Sequence, residues 1–185
     1  MRSTDSDRFV LPDPLPAPTE QARWFSDSAV PLISLATDAH NLLIDEFAAH
    51  HGRDFLVRAP DHERLALLQL TDAPSSSRPT MLSDTWVYKM PPNRESLTVG
   101  RDGHDLGIAD ATVEVDHATI DLASEPPTVT DRGSTYGTWV GFEMVQPHLP
   151  TPILFDRDLR FGLVSLMTMT TPVMVKVLRA LYPRC

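Results

Sequence analysis

Between residues 31 and 51 the apolar residues Leu32, Leu35, Ala36, Ala39, Leu42, Leu43 and Phe47 recur at spacings of three and four. That is the period of an amphipathic helix. Pro31 suits its first position and Gly52 the residue beyond its end. Asp38, His40, Asn41 and Asp45 lie off the stripe, so the stripe needs a surface to pack on, either the rest of the chain or a partner. Two apolar runs follow, Phe55-Leu56-Val57 and Leu65-Ala66-Leu67-Leu68-Gln69-Leu70, with Pro60-Asp61-His62-Glu63 between them. They fit a hairpin, and the second run fits a helix as well.

From residue 84 the period shortens. Thr85–Tyr88, Leu97–Val99, Ala118–Ile120, Thr128–Thr130, Thr138–Val140, Leu159–Phe161 and Val164–Thr168 are short, β-branched or aromatic, and separated by turn residues. This rhythm predicts an all-β sandwich. Thr171-Pro172 then opens a run to Tyr182 that reads as a short helix lying on the sandwich. Thr171 would cap it, Pro172 would sit in its first turn, and Lys176 and Arg179 fall toward its C-terminal end.

These patterns divide the chain into a Pro- and Asp-rich leader (1–22), a helical or hairpin extension (23–72), a linker (73–83), the sandwich (84–170) and a C-terminal helix and tail (171–185). The prolines at 12, 14, 16 and 18 favour extended backbone in the leader. Composition narrows the function. The net charge of −9 offers no long cationic face, so nucleic acid is not expected as a partner. A phosphate would need a local pocket to hold it against that field. The one cysteine, Cys185, allows no intrachain disulfide and no thiolate metal cage. No apolar run reaches the length of a membrane span and no signal segment is visible, so a cytoplasmic location without membrane contact is expected.

His50, His51, His62 and Asp54 are the nearest thing to a metal set, but adjacent histidines at a helix end diverge, and no metal or cofactor is expected. Gly100-Arg101-Asp102-Gly103 lacks the lysine and the following helix of a phosphate loop. No nucleophile elbow or catalytic triad is spaced along the chain. An enzyme is therefore the least supported class.

Three pieces remain: Val99-Gly100-Arg101, then Glu114-Val115-Asp116-His117, then Asp131-Arg132-Gly133-Ser134-Thr135-Tyr136-Gly137-Thr138. In this order and spacing they resemble the signature of the forkhead-associated (FHA) domain, a mainly β family of two antiparallel sheets that reads phosphothreonine in partner proteins. The resemblance spans residues 84–169. It implies that loops at one end of the sandwich hold the ligand, with Arg101 aimed at phosphate and Ser134 and Thr135 supplying hydroxyls. A dianion needs such donors, because charge-assisted hydrogen bonds are the strong ones. It also implies that Gly100, His117, Asp131, Gly137 and Thr138 shape the loops. For Arg101 a surface pairing with Asp102 or Asp105 stands beside the phosphate role.

Two positions depart from the family. Glu114 stands where the family has a phosphate-binding serine, and a carboxylate offers no donor and repels phosphate. Tyr136 replaces an asparagine that grips the ligand backbone, and one phenol cannot reproduce an amide's donor and acceptor. Three readings follow. The loops bind a partner, a basic or unmodified peptide, without needing phosphate; or they bind phosphothreonine in a Ser/Thr kinase pathway; or the 31–51 helix docks the partner.

Overall fold

The computed structural model describes residues 29–58 and 85–182. The expected leader (1–22), the run Leu65–Leu70, the linker (73–83) and Cys185 lie outside the described residues. The described chain runs β1 (Val30–Pro31), a 3-10 turn (Leu32–Leu35), α1 (Ala36–Asn41), α2 (Ile44–His51), β2 (Asp54–Arg58), β3 (Trp86–Lys89), β4 (Ser96–Gly100) and β5 (Leu106–Gly107). It continues through β6 (Ala118–Asp121), β7 (Thr128–Asp131), β8 (Thr138–Val140), β9 (Glu143–Met144), β10 (Thr151–Pro152), β11 (Asp158–Phe161), β12 (Val164–Thr170) and α3 (Thr171–Leu181).

Two sheets form the sandwich. One has seven strands in the order β1-β3-β2-β12-β11-β8-β9, the other five in the order β10-β7-β6-β4-β5. Pairing is antiparallel throughout except between β4 and β5, which run parallel. Alternation explains the layers. In β2, Leu56 enters the core between the sheets, while Phe55 and Val57 face a second core beneath the helices. In β12, Leu166 faces inward and Met167 and Met169 face the helices. A strand apolar on both faces must be covered on both.

This differs from the expected boundary. Phe55–Val57 does not sit in a separate hairpin. It lies inside the seven-stranded sheet, with β12 on one side and β3 on the other. The part of segment 23–72 that is described thus supplies two strands of the sandwich.

The single predicted helix over 31–51 is also broken. Pro31 belongs to β1, and Leu42 turns extended at φ −102°, ψ 153°. The Leu43 amide then donates to the Glu46 carboxylate at 2.9 Å, which restarts the helix as α2. Most of the predicted stripe is nevertheless spent inside the fold: Leu32, Leu35, Ala36, Ala39 and Phe47 are buried with Val175, Val177 and Leu178 of α3. Leu43 is the exception, 73% exposed. The stripe is therefore not a free docking face for a partner, which corrects the third reading. At α3 the cap position is Thr170, one residue earlier than expected, and the Thr171 hydroxyl donates to the Gly52 and Arg53 carbonyls at 3.1 Å.

Candidate functional site

The three sequence pieces meet at one end of the sandwich. Gly100 ends β4, and only a glycine fits: a Cβ there would lie 2.1 Å from the Val115 carbonyl oxygen and 2.4 Å from the His104 ring. That close approach lays the β4–β5 loop against the segment before β6. The Arg101 amide donates to the Glu114 carbonyl at 2.9 Å, and its Nε donates to the Val113 carbonyl at 3.0 Å. The surface pairing considered for Arg101 does not form. Asp105 instead accepts from the Thr98 amide and hydroxyl and from Arg94. Among the described residues Arg101 makes no ion pair within 4 Å.

His117 is fully buried and holds two loops together. Its Nδ1 accepts the Glu114 amide at 3.0 Å, so the ring proton sits on Nε2, which donates to the Gly137 carbonyl at 3.2 Å. The ring stands edge-on to Phe161, 5.7 Å between centroids. Burial pushes the imidazole below its ordinary pKa, against the opposing pull of the Gly137 carbonyl and Asp131. It stays neutral, as its acceptor role requires.

Asp131 gathers the third piece. Its Oδ1 accepts the Gly133 and Ser134 amides at 2.8 and 2.9 Å, and its Oδ2 accepts the Ser134 and Thr138 hydroxyls at 2.6 Å each. Burial alone would raise its pKa, but the Ser134 and Thr138 hydroxyls and the two amides together hold it low. Ser134, expected among the partner-contacting hydroxyls, is thus turned inward onto Asp131. Gly137 follows with φ +74°, and a Cβ there would sit 3.2 Å from Met144 Sδ.

The Thr135 hydroxyl remains at the surface, and it is occupied. It donates to Glu114 Oε1 at 2.7 Å. That bond is the main cause that holds the Glu114 carboxyl below its usual range, with Arg101 adding a smaller pull. Tyr136 beside it is 52% exposed. Arg101, Glu114, Thr135 and Tyr136 are therefore brought to the same loop end, while Ser134 is taken away from it.

The loops are acidic. Asp102, Asp105, Asp110, Glu114, Asp116 and Asp131 outnumber Arg58, Arg94, Arg101 and Arg132 there: Arg94 is paired with Asp105, Arg58 and Arg101 pull on Asp110, and Arg132 is paired with Asp116 at 3.1 Å. Several supporting contacts had no signal in the sequence. Asp110 accepts the Thr112 amide and hydroxyl, and the Thr112 hydroxyl accepts the Leu163 amide from the β11–β12 turn. The His148 amide donates to the Asp131 carbonyl, setting its ring over Gly133. Among the described residues no group of three or more His, Cys, Asp or Glu is placed to hold a metal ion, and no helix is long and apolar enough to cross a membrane.

Residues 97–162 match the FHA domain family. No curated protein matches the chain in sequence. Solved structures similar to it include the FHA domain of an Arabidopsis thaliana hypothetical protein, 16% identical with a TM-score of 0.45, covering 64% of this chain and 86% of that one. The FHA domain of the CT664 protein of Chlamydia trachomatis is 14% identical at TM-score 0.41, covering 63% and 96%. The first FHA domain of Mycobacterium tuberculosis Rv1747 is 15% identical at TM-score 0.41, covering 64% and 96%.

Proposed function

Given an FHA domain at residues 97–162, we propose that this chain is a non-catalytic protein-interaction module whose loops engage a partner without requiring phosphate on it. The observation that carries this reading is the 2.7 Å bond from the Thr135 hydroxyl to Glu114 Oε1. It occupies the surface hydroxyl that the family pattern offers to phosphate, and it fixes an ionised carboxylate in the same place. A phosphothreonine dianion would have to break that bond and then face the carboxylate. The surrounding excess of carboxylates acts in the same direction.

A phosphothreonine-binding adaptor is the second reading. One observation favours it: the Arg101 guanidinium, steadied through Nε, has no ion-pair partner within 4 Å among the described residues.

The test is fluorescence anisotropy with matched phosphothreonine and threonine peptide pools. The wild-type chain is expected to show no preference between them. Glu114→Ser combined with Tyr136→Asn frees Thr135 and restores an amide, and should bring a preference of about tenfold or more for the phosphorylated pool. Adding Arg101→Ala should remove it. A wild-type preference for phosphothreonine that Arg101→Ala abolishes would overturn the proposal in favour of the second reading.

A further inference from the structure

The loop end continues into apolar side chains that stay exposed among the described residues. Tyr136, Phe142 and Met144 are 52%, 96% and 60% exposed. They belong to the β7–β8 loop, the two-residue turn between β8 and β9, and the edge strand β9. The pieces are connected. The Trp139 indole N–H reaches the Tyr136 carbonyl at 3.5 Å, Trp139 pairs across the hairpin with Met144, and Met144 Sδ lies against Gly137. Beneath them the Arg160 guanidinium stacks on the Trp139 ring at 4.3 Å. The helical layer gives this end no cover, since the outer core draws no residue from β8 or β9. Exposed aromatic and methionine side chains on an adjoining loop, turn and edge strand are the composition of a contact surface, not of ordinary solvent-facing sheet.

The charge around the strip selects the occupant. Glu143 follows Phe142 on the hairpin, and Glu114 is bonded to Thr135, the residue before Tyr136. Neither forms an ion pair within 4 Å among the described residues. A cationic side chain can lay its aliphatic stem on the Tyr136 ring while its head meets the Glu114 carboxylate. A second acidic or phosphorylated segment would meet the Glu114 and Glu143 carboxylates, with Arg101 beside Glu114 and Arg160 on Trp139 as the nearby cations.

We propose that the Tyr136–Phe142–Met144 strip docks an unphosphorylated partner segment that carries an aromatic or aliphatic anchor beside a lysine or arginine. The anchor packs on Phe142 and Met144, and the cation sits at Glu114. This rests on the phosphate-independent reading and adds to it the surface used and the chemistry of the segment recognised.

The test screens the full chain against a random nine-residue peptide library without phosphate, and against the same library with a fixed phosphothreonine. Anisotropy titrations of the selected sequences follow. Selected peptides should combine an apolar anchor with a basic residue. Phe142→Ser with Met144→Ser should weaken them about tenfold at an unchanged melting temperature, because both side chains are exposed. Glu114→Gln should remove the lysine or arginine preference and leave the anchor preference. Selection from the phosphothreonine library alone would overturn the functional reading itself. Unphosphorylated peptides that bind the double variant as tightly as wild type would overturn only the docking surface. Absence of any selected peptide also overturns it. So does a dimer, seen by sedimentation, that the double variant dissolves, for the strip would then join two copies of the chain.

Discussion

Asp131 shows how much one side chain settles at this site. Four donors converge on it, and removing the acceptor strands two hydroxyls, that of Thr138 buried, and two part-buried amides. Asp131→Ala is expected to cost about 2 kcal/mol in chemical denaturation, mostly from the buried Thr138 hydroxyl left unsatisfied and the part-buried donors of the turn. Gly100→Ala should cost about 3 kcal/mol, because the new methyl meets, besides the His104 ring, the Val115 backbone, which cannot swing aside. His117 adds a pH dependence. Its folded pKa lies below the ordinary 6.5, so its contribution is complete above 6.5 and is lost as pH falls through the depressed folded value. Protonation would also place a proton on the nitrogen that accepts the Glu114 amide. Denaturation midpoints should therefore fall between pH 7.5 and 5, and His117→Asn should flatten that fall while lowering stability at pH 7.5. Much of this was legible in the motif: Gly100, Arg101, Glu114, His117, Asp131 and Thr135 all stand at the loop end as expected. Ser134 was not, because a sequence shows that two adjacent hydroxyls exist and not which one the backbone turns toward a buried carboxylate.

Among the elements, the strands were the more readable. Each of the seven predicted runs overlaps an observed strand, since β-branched alternation bounded by turn residues has few other ways to fold. The 31–51 segment was less so. Its apolar spacing continues through Leu42 and Leu43, and nothing in that spacing marks the break; the break depends on the Glu46 carboxylate taking the Leu43 amide. The consequence can be measured. Leu35→Ala, fully buried against α3, should cost about 3 kcal/mol, whereas Leu43→Ser should leave the denaturation midpoint within about 0.5 kcal/mol of wild type. If both cost the same, the stripe is continuous. A small polar chain ties these helices to the sheet: Lys89 Nζ donates to His51 Nδ1 at 2.9 Å, and His51 Nε2 donates to Asp38 at 2.7 Å. Burial lowers the His51 pKa, so this link weakens with acid in the same direction as His117.

For the whole molecule, the helices, the seven-stranded sheet and the five-stranded sheet form three layers around two cores. β2 is the shared element, contributing Leu56 to one core and Phe55 and Val57 to the other. A chain beginning at residue 84, as the sequence boundary would suggest, lacks β1 and β2 and exposes the edges of β3 and β12. It is expected to lose cooperative thermal unfolding, whereas a chain beginning at residue 29 should keep it. A cooperative transition in the shorter chain would show that the sandwich stands without the extension.

The sequence by itself determined the two-sheet class, the order of the three loop pieces, and the presence of Glu114 and Tyr136 within them. These depend on local period and residue identity, which a linear chain displays. Only the tertiary structure decided that β2 lies inside the sheet, that the helical stripe is consumed by α3, and that Thr135 is held by Glu114. Each of these joins residues 21 or more positions apart, and which partner a strand edge, an apolar face or a hydroxyl finds depends on how the layers close around it.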